Sequence, residues 1–107
     1  TDRSRGLGDV YKRQFKDYLA LDTELEVCKS RYGYIRVEFN EIGDILDYCS
    51  GVVCRTPEEL FDVLLDDFQG YEEIRLTKGR RDTTEDELEA IRVLCQRYLD
   101  RREEKMK

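Results

Sequence analysis

The sequence predicts a small α+β domain, with about four helices packed on a two- or three-stranded sheet; a mostly helical bundle with one hairpin is the competing architecture. Three observations lead there. Tyr34-Ile35-Arg36-Val37-Glu38-Phe39 alternates polar and apolar side chains and is rich in β-branched and aromatic residues, as a strand requires. Thr56-Pro57-Glu58-Glu59 joins a capping threonine, a proline suited to the first helical position and a glutamate spaced to bond back to the cap. Elsewhere the apolar residues recur at helical spacing, although 41% of the 107 residues are charged and 39% are hydrophobic.

Taken in order, Tyr18, Leu21, Leu25, Cys28 and Tyr32 fall on one face of an amphipathic helix that closes at Gly33. The strand follows, with Ile35, Val37 and Phe39 on one side. Asn40 is placed to cap a short helix that buries Ile42, Ile45, Leu46 and Cys49 and stops at Gly51. Val52–Cys54 suits a brief strand. The helix opened by Thr56 buries Leu60, Phe61, Leu64, Leu65 and Phe68 and ends at Gly70. Tyr71–Lys78 reads as a second strand, and Lys78–Asp82 as a turn. Thr84 with Glu87 repeats the capping pattern ahead of a long helix through Leu88, Ile91, Leu94, Cys95 and Tyr98. Acids crowd the start of that helix and Arg97, Arg101, Arg102 and Lys105 its end, as the macrodipole favours.

The leading segment stands apart. Ser4 to Gln14 resembles the conceptual translation of a transposase-type sequencing adapter, and Thr1–Arg3 would then come from flanking index sequence. The only methionine is Met106, and the segment reads as lacking apolar periodicity. Residues 1–14 are therefore expected to be disordered, and residues 15–107 to form the domain, the C-terminal part of a longer protein.

Without residues 1–14 the net charge is −8, and it is unevenly spread. Phe15–Val37 is balanced, Glu38–Glu73 holds eleven acids and the single base Arg55, and Ile74–Lys107 carries +2. An acidic middle disfavours non-specific attachment to nucleic acid or to an anionic membrane. No apolar run reaches the ~18 residues of a membrane-spanning helix.

Chemistry-bearing residues are few. The chain has no histidine, which removes the usual base near neutral pH, and no serine or cysteine has an evident activating partner. Cys28, Cys49, Cys54 and Cys95 lack the two close pairs of a structural zinc site, so buried thiols in a reducing cytoplasm are the expectation. No catalytic residue, metal or cofactor is assigned. A carboxylate-spacer-lysine arrangement of the nuclease kind occurs only at Glu103-Glu104-Lys105, in a helical tail, and is rejected.

Two charged groups remain. Glu58, Asp62 and Asp66 form an i, i+4, i+8 acidic stripe with Asp67 beside it, which invites a cationic neighbour because like charges at this spacing repel. That neighbour is either internal (Arg97, Arg101 and Arg102 lying alongside) or a partner protein. Lys78, Arg80 and Arg81, with Arg75 before them, are the compact basic group and the minority candidate for a nucleic-acid backbone contact. The expected function is a small acidic, cytoplasmic accessory domain of bacterial or phage type that binds another protein through Glu58, Asp62, Asp66 and Asp67. The alternatives are a C-terminal fragment of a larger enzyme and a nucleic-acid-associated domain.

Overall fold

The structure, a computed structural model, describes residues 2–43 and 45–106, with the side chains of residues 6–40, 42, 43, 45 and 47–102. The elements are α1 (Asp2–Gln14), α2 (Lys16–Leu21), β1 (Leu25–Ser30), β2 (Gly33–Ile42), β3 (Ile45–Cys54), α3 (Pro57–Thr77) and α4 (Glu85–Met106). The strands form one antiparallel sheet in the order β1-β2-β3, so the fold is α+β as the sequence predicts. The chain divides into two compact units, Thr1–Val63 and Leu64–Lys107.

In the first unit, the expected helix through Tyr18–Tyr32 stops after one and a half turns, at Leu21. Leu25–Ser30 is strand β1, paired with β2 from Leu25↔Glu38 to Ser30↔Gly33. The 3-4 spacing that suggested a helix also contains a strand alternation, in which Val27 is buried between exposed Glu26 and half-buried Cys28. Gly33 starts β2 rather than ending a helix.

The short helix expected after Asn40 is absent. Strand β2 runs on to Ile42, and β3 returns from Ile45 with Ile42↔Ile45 as the closing pair. The hairpin loop is two residues long, and Gly43 takes φ 62° there, a conformation open to glycine at little cost. Ile42 and Ile45, expected in the core, are 61% and 63% exposed, and Cys49 is exposed too. The side chain of Leu46 lies outside the described residues. The brief strand expected at Val52–Cys54 is the end of the ten-residue β3.

Strand pairing decides which face of the sheet is buried. Paired residues share a face, and the registers place Val27, Tyr34, Arg36, Val52 and Cys54 together. Val27, Tyr34 and Cys54 are buried there, and the Arg36 side chain is only 13% exposed. Ile35, Val37 and Phe39 occupy the other face and are only half-buried.

Residues 1–14, expected to be disordered, contain helix α1. Leu7, Tyr11, Phe15 and Tyr18 are spaced 4, 4 and 3 apart, so an apolar stripe exists once the break after Gln14 is ignored. Tyr11, Phe15, Leu60 and Phe61 are fully buried. The rings of Tyr11 and Phe15 meet Phe61 edge-on, with centroids 5.2 and 5.3 Å away. Asp9 accepts hydrogen bonds from Tyr34 Oη (2.6 Å) and Lys29 Nζ (2.9 Å), which hold its carboxyl below the usual range, the lysine first. Gly8 passes so close to the Tyr34 ring that a Cβ would stand 2.3 Å from it.

The start of α3 follows the sequence closely. Thr56 Oγ1 accepts from Glu59 N–H (3.1 Å), with Pro57 at the first helical position. Glu59 reaches back one residue beyond the cap, to the N–H of Arg55 (2.8 Å).

In the second unit, α3 passes Gly70 and absorbs the segment 71–77 that reads as a strand. A glycine inside a helix costs only about 1 kcal/mol. The turns beyond it are tied by the Glu72–Arg75 ion pair at 2.7 Å and by Thr77 Oγ1 donating to the Glu73 carbonyl at 2.8 Å. The helix stops where Lys78 and Gly79 turn left-handed, within the expected turn. Helix α4 opens with a reciprocal capping box: Glu87 N–H donates to Thr84 Oγ1 (3.2 Å) and Thr84 N–H to Glu87 Oε1 (3.0 Å). Leu64, Phe68, Ile91 and Cys95 are buried, and Phe68 meets Tyr98 at 5.0 Å.

Glu87 also takes two hydrogen bonds from Arg81, at 2.6 and 2.9 Å. That guanidinium, together with the Thr84 N–H, lowers its carboxyl from 4.5 to about 2. A depressed acid stabilises the fold above its unfolded pKa and loses that contribution as pH falls through the folded value. A Glu87→Gln variant should therefore melt below the unaltered chain at neutral pH, and the two should converge between pH 4.5 and about 2. An equal gap at pH 7 and pH 2, read by thermal melts, would contradict this role.

Candidate interaction surface

The four acids singled out by sequence all lie on α3. Glu58 and Asp62 are exposed in the first unit; in the second, Asp66 is exposed and Asp67 half-buried. Of the arginines considered as internal partners, Arg97 and Arg101 are exposed and Arg102 is half-buried, and Arg101 sits 5.9 Å from the Tyr98 ring centroid. Glu103, Glu104 and Lys105 lie outside the described side chains.

The basic group is already partly engaged. Arg75 pairs with Glu72, and Arg81 grips Glu87 with both terminal nitrogens; each carboxylate pushes its arginine's pKa up. Lys78 and Arg80 are exposed at the left-handed turn, where the Lys78 N–H donates to Ile74 O (2.6 Å) and the Arg80 N–H to Thr77 O (3.1 Å). Two of the four cations thus have local anions, which reduces what the group can offer a phosphate backbone.

All four cysteines are free thiols. Cys54 and Cys95 are buried as the sequence suggests, whereas Cys49 is exposed and Cys28 half-buried, and burial pushes the Cys95 thiol up. Among the described residues, no group of three or more His, Cys, Asp or Glu side chains is arranged to hold a metal ion. No helix among them is long and apolar enough to cross a membrane.

The surface that sequence reasoning missed is strand β3. It is an edge of the sheet, since among the described residues its only strand neighbour is β2. Every described side chain from Ile45 to Val53 is exposed apart from half-buried Ser50, with Tyr48 at 67% and Val53 at 51%. An edge presents unpaired N–H and C=O groups, and proteins blunt such edges with lysine, proline, short strands or bulges. The opposite edge, β1, is six residues long and carries Glu26 and Lys29. Strand β3 is ten residues long, without proline or lysine, and Asp47 is its one charge. Its single irregularity is a bulge: Glu38 pairs with Ser50 and Phe39 with Tyr48, leaving Cys49 unmatched.

Beside this edge lies the half-covered sheet face. Cys28, Ile35, Val37 and Phe39 are half-buried on it, and Tyr48 and Val53 extend it to the edge, with Tyr48 meeting Phe39 edge-on at 6.5 Å. The loop Gly43-Asp44 between Ile42 and Ile45 was the available signal, because a two-residue Gly-Asp linker between apolar runs marks a hairpin. With this geometry in view, comparison supplies no relative: no family model, curated protein or solved structure matches the chain.

Proposed function

We propose that the chain is a protein-binding accessory domain, without catalysis of its own, that accepts an extended segment of a partner along β3. The observation that carries this reading is the exposed ten-residue edge strand, unprotected by lysine or proline and continuous with an apolar sheet face. Strand addition suits such an edge: the backbone supplies hydrogen bonds, and alternate side chains rest on the face beside it. The acids Glu58, Asp62, Asp66 and Asp67 then serve as long-range attraction for a partner of net positive charge.

Affinity capture with three forms of the chain tests this. A Val53→Lys variant places a solvated charge on the edge and should lose the partner while its circular dichroism stays unchanged. Amide or asparagine replacements of Glu58, Asp62, Asp66 and Asp67 together should weaken capture and flatten its salt dependence. Undiminished capture by Val53→Lys would sink the edge reading. If the basic group were the site instead, an Arg80→Ala/Arg81→Ala chain would lose salt-dependent RNA or DNA binding.

A further inference from the structure

We infer that the segment accepted by β3 alternates strictly, apolar at every second residue with lysine or arginine between; this deepens the edge reading above and rests on it. Strand β2 is the template for what β3 can pair with. It already matches β3 across the bulge, and it does so with unbroken alternation: Ile35, Val37 and Phe39 on the half-covered face, Arg36, Glu38 and Asn40 on the covered one. A segment antiparallel to the free side of β3 meets the same two faces, so its side chains divide in the same way.

On the half-covered face the segment would lie against Tyr48 and Val53. The Tyr48 side chain leans along its own strand, where a Cβ at Gly51 would stand 3.0 Å from the Tyr48 hydroxyl, and its ring meets Phe39 edge-on. The surface there is aromatic and aliphatic, and among the described strand residues of that face the only charge is Glu26, on the far strand. Apolar side chains of the segment bury against it. On the covered face the edge residues are Ile45, Asp47, Ser50, Val52 and Cys54. Asp47 is exposed, and among the described residues no cation pairs with it. The other charges of that face are engaged locally: Glu38 accepts from Ser50 Oγ (3.1 Å) and lies 3.4 Å from Arg36 Nη1, and Lys29 lies 2.8 Å from Asp9. A base of the segment level with Asp47 therefore gains an acid. The exposed Arg55 is too far to oppose it, eight residues on, roughly 25 Å along an extended strand and well beyond the screening length. Glu58 and Asp62, exposed in the same unit, add to the attraction.

Fluorescence anisotropy on the full chain tests the assignment with three labelled peptides of equal length: one alternating Lys and Val, one with the same residues in two blocks, and one alternating Glu and Val. The alternating Lys-Val peptide should bind at least about tenfold more tightly than either of the others at physiological salt. Asp47→Asn should weaken it about three- to fivefold, the scale of one exposed ion pair. Val53→Lys should abolish binding, because it places a solvated charge on the edge. Ile74→Lys makes the same charge change at an exposed position of the second unit and should leave affinity within about twofold. Each variant should keep the circular dichroism of the unaltered chain. Equal binding of the block peptide would reduce the effect to charge attraction and overturn the inference. So would preference for the Glu-Val peptide, or no binding of the Lys-Val peptide up to millimolar concentration. If Val53→Lys still abolishes capture of a partner in those cases, the edge reading stands and only the chemistry assigned to the segment falls. Peptide binding and partner capture that both ignore Val53→Lys would sink the two together.

Discussion

Phe61→Ala should cost about 3–5 kcal/mol, the usual loss for truncating a fully buried phenylalanine. Phe61 is completely buried, and both Tyr11 and Phe15 turn their ring edges to it. Removing the ring would leave both aromatic partners facing a cavity too well framed to collapse without moving α1. A loss of that size can exceed half the stability of a small domain, so a lowered melting point and a lowered denaturant midpoint should both be plain. A destabilisation below about 1 kcal/mol would show that the aromatic cluster is not the core of the first unit.

The second large effect concerns the leading helix. Deleting residues 1–14 removes the buried Tyr11 ring and the Asp9 carboxylate that binds Lys29 and Tyr34, and it exposes faces of Phe15 and Phe61. The expected cost matches a large-to-small core change, again about 3–5 kcal/mol, and Tyr11→Ala in the full chain should reproduce most of it. Thermal melts of residues 15–107 beside the intact chain read this directly. Equal melting points would mean that α1 contributes no packing, which is what the resemblance of Ser4–Gln14 to translated adapter sequence implies.

What the sequence revealed follows from which features are local. Thr56, Pro57 and Glu59, and Thr84 with Glu87, mark helix starts through bonds made within four residues, and both helices begin where those signals stand. Strand β2 was visible because Tyr34–Phe39 alternates so regularly. Strand β1 was lost because Leu25 and Cys28 also fit a 3-4 helical spacing, and only pairing with β2 decides between the two. At Gly70 the local signal pointed the wrong way: glycine suggests a stop, yet its cost inside a helix is small beside the packing on both sides. The acids of α3 were legible as a charged face because exposure follows from helical period. The β3 edge was not, since an edge is defined by strand order, and strand order is fixed by contacts far apart in sequence. The covered face was hidden for the same reason: alternation separates two faces without saying which one is covered.

The most direct test of the account is amide hydrogen exchange on the isolated chain and on its captured complex. In dilute, unbound protein, β2 amides should be protected on both sides, while β3 should alternate between amides bonded to β2 and amides open to water. On binding, the open set within Ile45–Cys54 should slow, and the second unit should stay unchanged. Protection appearing on α3 or α4 instead, with β3 still alternating, would contradict the claim that this edge is where the chain meets its partner.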